Sequence, residues 1–205
     1  FRVESLPDPF FPERAIKDRQ EKEHIVKSLR ATEEGIRLAL STLRHARIKH
    51  GKIHVGGAIL TSERLRRIIE VRLMEQGCVA RQTIVAGGRQ AADPHCVGFG
   101  PLAPHQPIVL DVFPRSSKTG YHGDITRTVL KGSASPILKK MYRAVREAQE
   151  AGIQKVRDGV DGSMVHRIVE EKLAESGFRT ERRNGKPQGF IHSTGHGLGL
   201  DIHEA

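Results

Sequence analysis

The sequence predicts an α+β chain built as two helix–helix–strand halves, and three observations carry that reading. Apolar residues recur at helical spacing in four stretches, three of them opened by a capping residue. Short, strongly apolar runs lie between the second and third of these stretches. The order helix, glycine-bearing connector, helix, segment ending in histidine occurs up to His95 and again up to His196, an offset of roughly one hundred residues. The halves share no evident identity, so the match is one of organisation. The first half runs on into a strand pair bearing Asp111 and Asp124, and an equivalent pair with carboxylates of its own is expected after Ala205.

Residues 1–17, with three prolines before Ala15, read as a linker or docking arm. From Asp18 to about His45, Ile25, Leu29, Ile36, Leu40 and Leu43 mark one apolar helix stripe, opposite a face of Arg, Lys and Glu. Residues 47–59 read as a glycine-bearing connector. Thr61 or Ser62 caps the second helix, Leu65, Ile68, Ile69 and Leu73 form its stripe, and Gly77 stops it. Strands follow over residues 79–85, 108–113 and 121–130, with a hairpin loop between the last two. Ser135 and Pro136 start a third helix with the stripe Ile137, Met141, Val145 and Ala148. Asp161 caps a fourth, with Val165, Ile168, Val169 and Leu173 inside and Gly177 as its stop. A basic loop over residues 182–187 leads into residues 192–204.

Composition narrows the function class. The chain is 37% hydrophobic and 28% charged, which is globular rather than disordered, and its 205 residues can bury one large or two modest cores. Its net charge of +10 is spread over helix faces and loops, and with two Tyr and no Trp it lacks a stacking platform for nucleic acid. Cys78 and Cys96 have no zinc spacing and read as small hydrophobes in a reducing cytoplasm. Nothing in the sequence marks a membrane span or a signal peptide. No nucleic-acid or membrane partner is expected.

The chemistry is concentrated in four places. Residues 192–204 hold three imidazoles (His192, His196, His203) and three glycines, a pattern for a site made partly of exposed backbone. Asp111 sits in the apolar run Ile108-Val109-Leu110-Asp111-Val112-Phe113, where an unpaired carboxylate costs several kcal/mol and so needs a cation, an arginine or a metal. Asp124 follows in His122-Gly123-Asp124-Ile125-Thr126-Arg127, and a hairpin would bring both aspartates to one side of the sheet. The alternative is that Asp111 pairs with Arg127 and Asp124 faces solvent. Two aspartates and an imidazole suit Mn²⁺, Co²⁺, Zn²⁺ or Fe²⁺, but three protein ligands are too few for a two-metal centre.

With His95, these motifs resemble the catalytic "pita-bread" domain of the metallopeptidases that include Xaa-Pro aminopeptidase, Xaa-Pro dipeptidase (prolidase) and methionine aminopeptidase. The family pattern is His, Asp, Asp in Gly-Tyr-x-x-Asp-x-Thr-Arg, then His-x-x-Gly-His-Gly-x-Gly-x-x-x-His-Glu, then two Glu. It is matched at His95, Asp111, Asp124 and residues 192–204, and the likeness runs from about Asp18. His192 with Thr194-Gly195-His196, and Ala92-Asp93-Pro94-His95, favour the Xaa-Pro branch. The gap from Asp111 to Asp124 is longer than the family's, an insertion that the hairpin loop absorbs.

The resemblance implies a curved, mainly antiparallel sheet, with residues 18–205 as part of a catalytic domain and residues 1–17 as a linker from an N-terminal domain. It implies that Asp111 chelates one ion, Asp124 bridges two, and His196 ligates the second. His95 and His203 become catalytic and substrate-lining residues, His192 a residue of the proline-side pocket, and Thr126 a hydrogen-bond partner that orients the bridging Asp124. The implied reaction is hydrolysis of the peptide bond before proline, by water activated between two divalent ions, Mn²⁺ first. The implied partners are a peptide with proline at its second position and, for the full-length protein, a second copy in a homodimer. The two family glutamates lie beyond Ala205, so a chain ending there is expected to hold metal weakly or not at all and to be inactive. Two alternatives on the same fold are a creatinase-like C–N hydrolase and a non-catalytic interaction or chaperone module. The joint presence of Asp111, Asp124 and His196 argues against both.

Overall fold

Helix α1 (Arg19–His45) starts at a reciprocal cap. The Asp18 carboxylate accepts from the Glu21 N–H at 2.8 Å, and the Glu21 carboxylate accepts from the Asp18 N–H at 2.8 Å. Two donors that a helix start leaves open are satisfied at once. The computed structural model describes residues 11–204 and divides into two units. One holds the described residues up to Ser133 and those from Gly197 onward; the other is Ala134–His196. Residues 1–10 of the expected linker lie outside the described residues, and Pro12–Ala15 forms one 3-10 turn.

In the first unit, α1 is followed by β1 (Arg47–Lys49), β2 (Lys52–Val55) and β3 (Ala58–Ile59), a three-stranded antiparallel sheet where a connector was expected. The signal lies in the two turns. His50-Gly51 and Gly56-Gly57 all take positive φ, between 48° and 81°, as two-residue hairpin turns require. Helix α2 (Ser62–Glu75) then begins at Thr61, whose hydroxyl accepts from the Arg64 N–H at 3.2 Å. Leu65, Ile69 and Leu73 are fully buried as the periodicity predicts, and Ile68 is half-buried.

The inward face of α1 differs from the expected stripe. It consists of Ser28, Ala31, Thr32, Gly35, Ile36, Ala39 and Leu43, while Ile25 and Leu29 are half-buried and Leu40 is exposed. Close approach is the reason: a Cβ on Gly35 would stand 3.2 Å from Ile69 Cγ2 of α2. Small residues let the two helices meet, and an apolar-residue count overlooks them.

The strand expected over residues 79–85 is two short ones, β4 (Cys78–Val79) and β5 (Ile84–Gly87), parted by a bend in which Gln82 takes φ +64°. Strand β6 (Pro107–Val112) is central, pairing antiparallel with β5 and with β8 (Ile125–Leu130), while β7 (Arg115–Ser116) in the intervening loop pairs with β4. The strand over residues 121–130 is therefore shorter than expected, and Asp124 lies just ahead of it. Ile108, Leu110 and Val112 of β6 join Ile53, Leu60, Val85 and the α2 stripe in one core. Each such side chain contributes about 1.5–3 kcal/mol by burial.

The second unit contains α3 (Pro136–Lys155), α4 (Gly162–Glu175) and a hairpin of β9 (Glu181–Arg183) and β10 (Lys186–Gln188). Ser135 and Asp161 cap the helices as expected. The expected stripe of α3 is corrected: Ile137, Met141 and Val145 are exposed, and Ala144, Ala148 and Gly152 are buried with Val169 and Leu173 of α4. Contact again runs through small residues, since a Cβ on Gly152 would meet Val169 Cγ2 at 2.8 Å. The basic loop is a hairpin turned at Asn184-Gly185, with φ of 51° and 74°. Among the described residues no helix is long and apolar enough to cross a membrane.

Candidate active site

Strand β6 alternates between two environments. Ile108, Leu110 and Val112 enter the core, so Asp111 stands on the opposite face of the sheet. Its partner in the ladder is Thr126 of β8, whose hydroxyl donates to Asp111 Oδ1 at 2.7 Å. The resemblance attached Thr126 to Asp124; its hydroxyl orients Asp111. Arg127 is opposite Leu110, on the other face from Asp111, and its Nη1 donates to the Thr126 carbonyl at 2.8 Å. The register does not favour the alternative Asp111–Arg127 pair. Ile125 packs on the core; Asp124 precedes it outside the strand, where continued alternation would turn it to the face shared by Thr126 and Asp111. Thr126→Ala should leave Asp111 less well oriented and weaken metal binding by the full-length protein about 10–100-fold, measured by calorimetric titration.

The segment before Asp124 is seated on α1. The Ser28 hydroxyl donates to the Tyr121 carbonyl at 2.9 Å, and the Gly123 N–H donates to the Pro114 carbonyl at 2.9 Å. Gly123 has no room for a side chain: a Cβ would stand 2.6 Å from the Ser28 carbonyl and from Thr32 Oγ1. The Tyr121 hydroxyl donates to Glu21 at 2.7 Å, and that hydrogen bond, with burial, holds the phenol up at about 12. Burial pushes the His122 imidazole down, against a hydrogen bond with the Phe113 backbone. Gly123→Ala should cost about 2–3 kcal/mol and lower Tm by roughly 5–10 °C, because the clash is with backbone. An unchanged melting curve would show that α1 does not seat this segment.

His95 is exposed in the turn after the 3-10 helix Gly88–Ala92, and its N–H donates to Asp93 Oδ1 at 2.9 Å. The chain beyond it is held by side chains. Arg66 donates to the carbonyls of Val97 and Gly98, and Gln90 bonds both backbone groups of Phe99, at 2.9 and 3.0 Å. The Glu63 carboxylate accepts from the Gly100 N–H at 2.9 Å.

His203 is exposed on a closed loop. Gly197 and Glu204 exchange backbone hydrogen bonds of 2.8 and 3.0 Å, and the Gly199 carbonyl accepts from the His122 N–H at 2.8 Å. Glu204 is structural. Its side chain is 8% exposed and meets Lys17 at 2.8 Å, Arg14, and the Asp201 N–H at 3.0 Å. Burial pushes its carboxyl up, but the hydrogen bonds from Lys17, Asp201 and Arg14 outweigh it and hold the group at about 2. A lowered carboxyl pKa adds stability above the ordinary value near 4.5 and loses it as pH falls toward 2. The contribution at neutral pH is roughly 3 kcal/mol at most. Urea unfolding of the full-length protein should therefore show a loss of stability between those pH values that Glu204→Gln reduces; an equal loss in the variant would contradict the ion pairs.

His192 and His196 belong to the second unit, both exposed. There His166 stacks on Phe190 with centroids 5.2 Å apart, and Phe190 meets His192 edge-on at 5.0 Å. His166 Nδ1 lies 2.9 Å from Thr194 Oγ1. A cleft of about 610 Å³ is lined by these rings together with Arg182, Glu170 and Pro187. The sequence motifs marked His192 but not His166 or Phe190, which reach it only through folding. Both cysteines are free, and burial pushes the Cys78 thiol up, as befits a packed hydrophobe rather than a nucleophile.

Asp111 on the outer sheet face and Asp124 just ahead of the neighbouring strand are hard oxygen donors, a type that fits divalent ions of the Mn²⁺ kind. Among the described residues no three His, Cys, Asp or Glu side chains gather into a group that could hold an ion. The fit is that of a partial donor set.

An uncharacterized peptidase of Bacillus subtilis, YqhT, is 30% identical over 190 residues, which is 90% of this chain and 50% of that protein. The X-Pro aminopeptidase of Thermotoga maritima superposes with a TM-score of 0.78 at 28% identity, covering 98% of this chain and 51% of that one. The prolidase of Pyrococcus furiosus does so with 0.77 at 28% identity, covering 94% and 51%. The chain spans about half the length of these proteins, and its architecture is the α+β pita-bread fold: one helix–helix–strand half and the helical part of a second. The model of metallopeptidase family M24 matches residues 23–205, and the chain belongs to that family.

Proposed function

We propose that the full-length protein is a metal-dependent peptidase that cleaves the bond preceding proline in peptides with proline at the second position. The observation that supports it most is Asp111 on the sheet face away from the core, held by the Thr126 hydroxyl, with Asp124 just ahead of the neighbouring strand. In this reading Asp111, Asp124 and His196, together with the two family glutamates, would hold two divalent ions, Mn²⁺ first, and such ions would supply a nucleophilic water at neutral pH and offset charge on oxygen. His203 donates a hydrogen bond to the scissile carbonyl oxygen, His95 positions the peptide, and His192 lines the pocket for the proline ring. The ring cluster of Phe190 and His166 beside His192 gives that pocket an apolar wall. The arm up to Lys17 serves as the link from a preceding domain, and the protein acts as a homodimer in a reducing cytoplasm.

The test is substrate choice. The Mn²⁺-loaded full-length protein should release the first residue from peptides with proline at the second position, at a rate well above that for alanine there. It should leave creatine unchanged. Turnover of creatine would favour a C–N hydrolase, and turnover of none would favour an interaction module.

A further inference from the structure

We propose that Arg14 and Lys17, in the segment leading into α1, are positioning residues that act on His203 through Glu204. The inference rests on the catalytic reading of His203 given above. Glu204 is the next residue in the chain, and its carboxylate is engaged at both oxygens. Oε2 meets Lys17 Nζ at 2.8 Å; Oε1 meets Arg14 Nη2 and accepts from the Asp201 N–H at 3.0 Å. The same Arg14 nitrogen reaches Asp201 Oδ2 at 2.9 Å, so one guanidinium holds carboxylates on both sides of His203. With the side chain clamped and the backbone bridged to Gly197, the residue beside His203 has little freedom.

The loop is also anchored at its other end. The Gly199 carbonyl accepts from the N–H of His122, two residues before Asp124. Position 199 must be glycine for the clamp to close, because a Cβ there would stand 2.4 Å from Glu204 Oε2. The loop bearing His203 therefore hangs between the approach to α1 and the segment that ends in Asp124, all within one unit. A pair of cations around a nearly buried carboxylate suits such an anchor. Removing one cation leaves buried charge poorly compensated, and the loop must shift to rehydrate it. A shift of about 1 Å in a catalytic group can cost about 10²-fold in rate.

In the full-length protein, Lys17→Met and Glu204→Gln should each lower kcat about tenfold or more. KM should stay within about twofold, and bound Mn²⁺ should be unchanged. Lys17→Arg should restore most of the rate. Amide hydrogen exchange over residues 198–203 should speed up about tenfold in Lys17→Met while α1 stays protected. Gly199→Ala, which alters no charge, should have the same two effects. Normal kcat in Lys17→Met and Glu204→Gln, lost metal, or unchanged exchange would overturn the clamp. Unchanged turnover in His203→Ala would instead overturn the catalytic reading of His203, and this assignment with it, whatever the exchange data.

Discussion

Asp124→Asn in the full-length protein should lose turnover by about three orders of magnitude and release bound metal. The substitution keeps the shape of the side chain, so Gly123 stays seated against Ser28 and Thr32 and Ile125 stays on the core. What changes is one negative charge just ahead of the strand that pairs with that of Asp111. A hard divalent ion is held by anionic oxygen, and an amide carbonyl beside one remaining carboxylate is a much weaker donor. Loss of activity with the melting temperature within a few degrees of wild type would place the defect at the site. Retained Mn²⁺ in this variant would mean that Asp124 is not a ligand.

The second large effect is expected at His203. His203→Ala should lower kcat about 10²–10⁴-fold, the range for removing a positioned proton donor or a group that offsets charge on oxygen. Metal content should be unchanged, because the side chain is exposed on its loop and Glu204 still ties that loop to Lys17 and Arg14. The contrast between the variants is the informative part: one loses the metal with the rate, the other the rate alone. If His203→Ala emptied the site, its role would be that of a ligand.

What could be read from the sequence was what neighbouring residues decide. The Thr61, Ser135 and Asp161 caps, the Gly77 stop and the stripe of α2 follow from local spacing, and all four helices stand where they were expected. The facing of Asp111 away from the core also follows from the two-residue side-chain period of its strand. Other features depended on residues far apart. The buried faces of α1 and α3 are built from Ser28, Gly35, Ala39, Ala144 and Gly152, small residues that matter only once a second helix comes close. The Glu204 clamp joins residues nearly two hundred positions apart, and nothing near Glu204 in sequence announces Arg14 or Lys17. The hairpins at His50-Gly51 and Asn184-Gly185 were within reach, since both dipeptides carry turn chemistry, but their strands are short and charged and read as loops.

The central claim is that the Asp111–Asp124 face belongs to a metal-dependent Xaa-Pro peptidase. Its most direct test is to strip the full-length protein with a chelator and titrate Mn²⁺ back while following cleavage of a peptide with proline at its second position. Turnover should be lost on stripping and return to a plateau as two ions per chain are restored. Full turnover by the stripped protein, or none at any Mn²⁺ concentration, would contradict the account.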